Sequence, residues 1–166
     1  MSSHLWNRVA PVEREIAEAF LNTFPVKVGE LATALGLTVL RSPLQPKISG
    51  LIQPSDEAPS GFQIKVNKYE SPERQRFTVA HEIAHYLLHR DDIGAGVVDS
   101  IMYRSSLTSR KEVEANQLAA DLVMPAPLVV KEAKYFRNMD VSEAAEALAS
   151  AFKVSVAAME IRLGVL

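Results

Sequence analysis

The stretch from Phe77 to Leu88, Phe-Thr-Val-Ala-His-Glu-Ile-Ala-His-Tyr-Leu-Leu, constrains the fold more than any other part of the chain. It is apolar nearly all round, and a helix without a polar face has to lie inside a domain. Its polar interruptions include His81, Glu82 and His85. Burying these without partners costs several kcal/mol, so each needs a hydrogen-bond partner, a counter-charge or a metal. The His-Glu-x-x-His spacing supplies the last of these. Four residues advance a helix by about 6 Å and just over one turn, which lets both imidazoles reach one ion from the same face. Glu82 projects beside that ion, placed to take a proton from a water whose pKa the metal has lowered to about 7.

A catalytic zinc needs a third protein ligand and an open fourth position. The chain has no cysteine, so any metal is held by histidines and carboxylates. His89 lies about 12 Å along the helix from His81, too far to share the ion unless the helix breaks. Leu88 stands where the metzincin pattern needs a glycine, which rejects that class. The remaining candidates are Asp91, Asp92, Asp99, Glu112, Glu114 and Asp121, and the last three fall on a second helix able to pack against the first. On that helix Glu114, Gln117, Leu118 and Asp121 share a face, whereas Glu112 lies away from it beside Arg110 and Lys111. Glu114 is therefore the expected third ligand, and Asp121 an expected acceptor for a ligand imidazole N–H. Tyr103 and Arg104, between the two helices, are candidates for stabilising an oxyanion. The expected cofactor is Zn2+, with Mn2+ as the alternative.

Around this pair the predicted elements are a helix from Val12 to Phe24 stopped by Pro25, and a short helix from about Val28 to Leu35 ended by Gly36. Three β-rich runs follow, Thr38 to Leu40, Ile48 to Gln53 and Phe62 to Val66, punctuated by Pro43, Pro46, Pro54, Pro59 and Gly61. Ser71-Pro72-Glu73 caps and opens the central helix, which should run to about His89. Ser109-Arg110-Lys111-Glu112 has capping-box spacing at the head of the second helix, and Pro125 and Pro127 stop it. Leu128 to Leu166 reads as two or three helices broken near Asn138 and Lys153. The fold class is α+β, mostly helical, with a small antiparallel sheet beside the active-site helix. One domain, 1–166, is expected, with a catalytic core of about 26–125 and a helical segment of 126–166.

Residues 71 to 89, Ser-Pro-Glu-Arg-Gln-Arg-Phe-Thr-Val-Ala-His-Glu-Ile-Ala-His-Tyr-Leu-Leu-His, followed by Glu-Ala-Asn-Gln-Leu-Ala-Ala-Asp-Leu-Val-Met-Pro at 114 to 125, resemble the ImmA/IrrE family of metallo-endopeptidases. The similarity extends more loosely from about Val26 onward, including Pro-Val-x-Val-x-x-Leu-Ala-x-x-Leu-Gly-Leu at 25 to 37. It implies a minimal gluzincin-like fold, zinc on His81, His85 and Glu114, and Glu82 as base. It also implies a substrate class: cleavage of a helix-turn-helix (XRE-type) repressor, which releases stress-response or mobile-element genes. The chain departs from the longer IrrE architecture in having no room for a C-terminal sensor domain of the GAF type.

A net charge of -2 gives no global attraction to phosphate or anionic lipid. The Val28 to Leu37 and Ala149 to Leu163 stretches look like parts of a helix-turn-helix. Asp140 to Leu166, however, sets Asp140, Glu143, Glu146 and Glu160 against Lys153 and Arg162, which favours helix packing over DNA reading. No run approaches the roughly 20 apolar residues that span a bilayer, and no signal segment opens the chain, so a cytoplasmic location without membrane or direct nucleic-acid contact is expected. Two functions compete. One is an endopeptidase; the other is a binding module that regulates a repressor by association, with a structural or vestigial metal site.

Overall fold

The computed structural model describes residues 3–94 and 109–166. Its elements are α1 (Ser3–Trp6), α2 (Pro11–Glu18), α3 (Val28–Ala34), β1 (Thr38–Ser42), β2 (Gly50–Pro54), β3 (Phe62–Asn67), α4 (Pro72–His89), α5 (Ser109–Val123), α6 (Ala126–Ala133), α7 (Val141–Phe152) and α8 (Val156–Gly164). Short 3-10 turns at Arg90–Asp92 and Lys134–Phe136 extend α4 and α6. The class is the expected α+β.

The sheet is mixed, with strand order β1-β3-β2. β2 and β3 form an antiparallel hairpin, whereas β1 pairs with β3 in parallel, Val39 opposite Ile64. The wholly antiparallel sheet expected from sequence holds for one of the two pairings. A tight turn over 55–61, closed by Ser55 N–H on Gly61 O at 2.8 Å, makes β2 and β3 neighbours. The proline-containing connection over 43–49 carries the chain away from β1 to the far edge, leaving β1 to flank β3 on the other side.

The central helix starts where the sequence places it. The Ser71 hydroxyl accepts from Arg74 N–H at 3.3 Å, Pro72 fills the first helical position, and the helix runs unbroken to His89. Val79, Ala80, Ile83, Ala84 and Leu87 are buried on it, and α3, β2, β3 and α5 close around it. Gly36 ends the α3 turn with φ +80°, its N–H on Thr33 O and the Leu37 N–H on Ala32 O, the paired bonds of a Schellman stop.

Two expectations differ at the N-terminus. Helix α2 ends at Glu18, not Phe24, because the chain turns there and brings the Phe24 ring onto Phe152 of α7, centroids 4.4 Å apart. Helix α1, which no periodicity announces, buries Trp6 and hydrogen-bonds its indole N–H to Asp121 Oδ2 at 3.2 Å. Among the described residues, no helix is long and apolar enough to cross a membrane.

The close approach of β2 to α4 requires a glycine. A Cβ on Gly50 lies 2.5 Å from Thr78 Cγ2 and 2.6 Å from Lys65 O, so any side chain pushes sheet and helix apart. Gly50→Ala is expected to cost about 1–3 kcal/mol by overpacking. A urea denaturation midpoint equal to the wild type's would show that the strand and helix are not in contact there.

Candidate metal centre

His81, His85 and His89 fall at four-residue intervals on α4 and so form one stripe along the helix. The first two point their Nε2 atoms at one spot, 3.1 Å apart. The carboxylate that meets them belongs to Glu112 in the first turn of α5: Oε2 lies 3.2 Å from His81 Nε2, and Oε1 3.2 Å from His85 Nε2. Among the described residues these three form the group of side chains that can hold a metal ion.

The separations fit an ion. Ligand atoms about 2.0–2.1 Å from a tetrahedral centre stand about 3.3 Å from one another, close to the three distances found. Asn116 Oδ1 lies 2.9 Å from His81 Nδ1. An amide oxygen only accepts, so Nδ1 carries the hydrogen and Nε2 presents a lone pair to the group. Glu112 Oε1 is buried with no hydrogen-bond donor among the described residues. Acceptors brought together in this way repel unless a cation lies among them.

Glu114, the residue the helical face singles out, is placed elsewhere. Its Oε2 lies 2.8 Å from His89 Nε2, while its Oε1 accepts from Arg8 at 3.0 Å and Arg110 at 3.2 Å. The Arg8 guanidinium, helped by His89 and Arg110, holds its carboxyl down at about 2 despite burial. Burial pushes the His89 imidazole below its ordinary value, against the pull of that carboxylate. The remaining contact of the stripe is His89 Nδ1 at 3.0 Å from His85 Nδ1.

Asp121 accepts from Trp6 and, at 2.8 Å, from Arg162, tying α1 and α8 to α5. Glu82 is 1% exposed, next to His81 on α4. Asp99, Tyr103 and Arg104 lie outside the described residues. Sequence reasoning missed Asn116 and set Glu112 aside. The available signal was that Glu112 and Asn116 are themselves four residues apart and share a face of α5.

A cleft of about 580 Å³ opens at His81 and Glu112. Ser49, just before β2, borders it on one side, Val154 just before α8 and Ala158 in its first turn on the other, and Phe77 and Thr78 of α4 line it. Ile161 and Phe77 also line a second, more apolar groove that continues along α5 toward Met124.

A His-Glu-x-x-His helix whose imidazoles meet a carboxylate from a second helix beside an open cleft defines the metallopeptidase class. Residues 32–164 match the model of the Peptidase_M78 family, described as the IrrE N-terminal-like domain, and the chain belongs to that family. It is 36% identical over 73 residues to the radiation response metalloprotease IrrE of Deinococcus radiodurans, a match covering 44% of this chain and 22% of that protein. With the protein of the same name from Deinococcus deserti it shares 41% identity over 71 residues, 43% of this chain and 25% of that one. These matches thus take in a quarter or less of each relative's length. A Mycobacterium tuberculosis transcriptional regulator has a similar fold, with a TM-score of 0.53 at 14% identity, covering 95% of this chain and 48% of that one.

Proposed function

We propose that the chain is a zinc-dependent endopeptidase of the cytoplasm that cuts a helix-turn-helix (XRE-type) repressor and so relieves repression of stress-response or mobile-element genes. The observation that carries this reading is the convergence of His81 Nε2, His85 Nε2 and the Glu112 carboxylate at the mouth of the cleft. In this reading His81, His85 and Glu112 hold the ion, and Glu112 takes the place that the helical face gave to Glu114. A bound divalent ion supplies Lewis acidity, lowering the pKa of a water to about 7 and polarising a carbonyl. Glu82 takes the proton from the attacking water and passes it to the leaving amine. The substrate backbone lies along β2, because β3 is paired on both sides and β2 is the edge strand whose start borders the cleft. The radiation-response relatives support a place in stress regulation.

The test is incubation of the purified protein and Zn2+ with the small helix-turn-helix repressor encoded nearest to it. Mass spectrometry should find one cleaved bond in an extended segment, with cutting abolished by EDTA and restored by added metal. An intact repressor after metal loading, under conditions in which the two proteins bind, refutes the proteolytic reading.

A further inference from the structure

Three histidines in a row on one helix face cannot all ligate one ion, yet His89 is as buried as the other two and ends in contact with a charged carboxylate. We propose that His89 and Glu114 are positioning residues for the ligand His85, joined in a relay that leaves the His85 Nε2 lone pair facing the ion. This inference rests on the metal-site reading above.

The relay follows from counting hydrogens. The Glu114 carboxylate only accepts, so His89 Nε2, 2.8 Å away, carries the hydrogen between them. A neutral imidazole has one such hydrogen, which leaves His89 Nδ1 an acceptor. His85 Nδ1 faces it at 3.0 Å and therefore donates, so that His85 Nε2 is bare. The opposite tautomer turns an N–H toward Glu112 and His81 and removes a ligand. Arg8, just beyond α1, and Arg110 fix the far end by holding the other oxygen of Glu114. His81 is served differently, by the neutral Asn116 amide in a single step. A carboxylate at the end of a histidine relay also raises the basicity of the ligating imidazole, and removing such partners typically costs about 10–100-fold in metal affinity.

The experiment measures Zn2+ affinity by competition with a chromophoric chelator for wild type, Glu114→Gln, His89→Ala, His89→Gln, the Glu114→Gln/His89→Ala double variant and Glu112→Ala. Glu114→Gln and His89→Ala are each expected to weaken binding about 10–100-fold. The double variant should lose little more than either single one, because both break the same chain. His89→Gln, which keeps an acceptor and a donor, should recover part of the loss. Nitrogen-15 NMR of metal-free wild type should show the His85 proton on Nδ1. If His89→Ala does not fold, Glu114→Gln, His89→Gln and the NMR assignment carry the test.

Wild-type affinity in both Glu114→Gln and His89→Gln, together with a proton on His85 Nε2 in the metal-free protein, overturns the relay while leaving the metal site standing. Loss in Glu114→Gln as deep as in Glu112→Ala also overturns it, by making Glu114 a ligand. A wild type that binds no Zn2+ at all refutes the underlying metal-site reading instead.

Discussion

On the function proposed above, Glu82→Gln is expected to fold, to hold metal and to bind the proposed repressor, yet to leave that repressor uncut. The substitution is nearly isosteric and keeps a polar group in a site where Glu82 is 1% exposed, so packing changes little. What it removes is the ability to take a proton from water, a loss that typically lowers rate by about two to four orders of magnitude. On a gel sampled over hours, wild type clears its substrate and the variant does not. The same variant decides between the two functions that compete at the level of sequence. A binding module needs no base, so a Glu82→Gln protein that relieves repression in cells as fully as wild type would make association the mechanism.

Glu112→Ala is expected to lose the metal. Divalent-ion binding of about 10–16 kcal/mol shared among four ligands is about 2.5–4 kcal/mol for each, or roughly a hundred- to a thousandfold in affinity. Elemental analysis after dialysis should find the wild type loaded with one ion per chain and Glu112→Ala nearly empty. The variant should still fold, because the Glu112 side chain lies at the cleft margin, 31% exposed, and outside the apolar core. Full occupancy in Glu112→Ala would return the third position to another acid.

The difference between Glu112 and Glu114 shows where sequence stops. The central helix was legible because all its signals are local: Ser71 and Pro72 at its head, an apolar surface, and two histidines separated by one turn. Once those were placed, His81, Glu82 and His85 followed as buried residues of one helix. The third carboxylate depends instead on how α5 is rolled against α4, a rotation of about 100° per residue that no local pattern fixes. Burial was a poor guide to it. Glu114 is the more enclosed of the two acids, but it is enclosed among Arg8, Arg110 and His89, whereas Glu112 stands at the edge of the cleft.

The sheet shows a similar division. Each strand could be found from its residues, but the parallel pairing of β1 with β3 depends on where the 43–49 connection carries the chain. The bond between Trp6 and Asp121 spans 115 positions and leaves no trace in any window of sequence.

That bond bears on how the protein can be shortened. The family match begins at residue 32, and a fragment cut there looks natural from alignment. It would discard Trp6 and Arg8, which brace α5 from behind through Asp121 and Glu114 while Arg162 of α8 grips Asp121 from the other direction. The helix bearing Glu112 is therefore guyed from both ends of the chain. An expression tag fused close to Leu5, or a truncation designed only around the catalytic motifs, loosens a stay whose far end is the helix that carries Glu112.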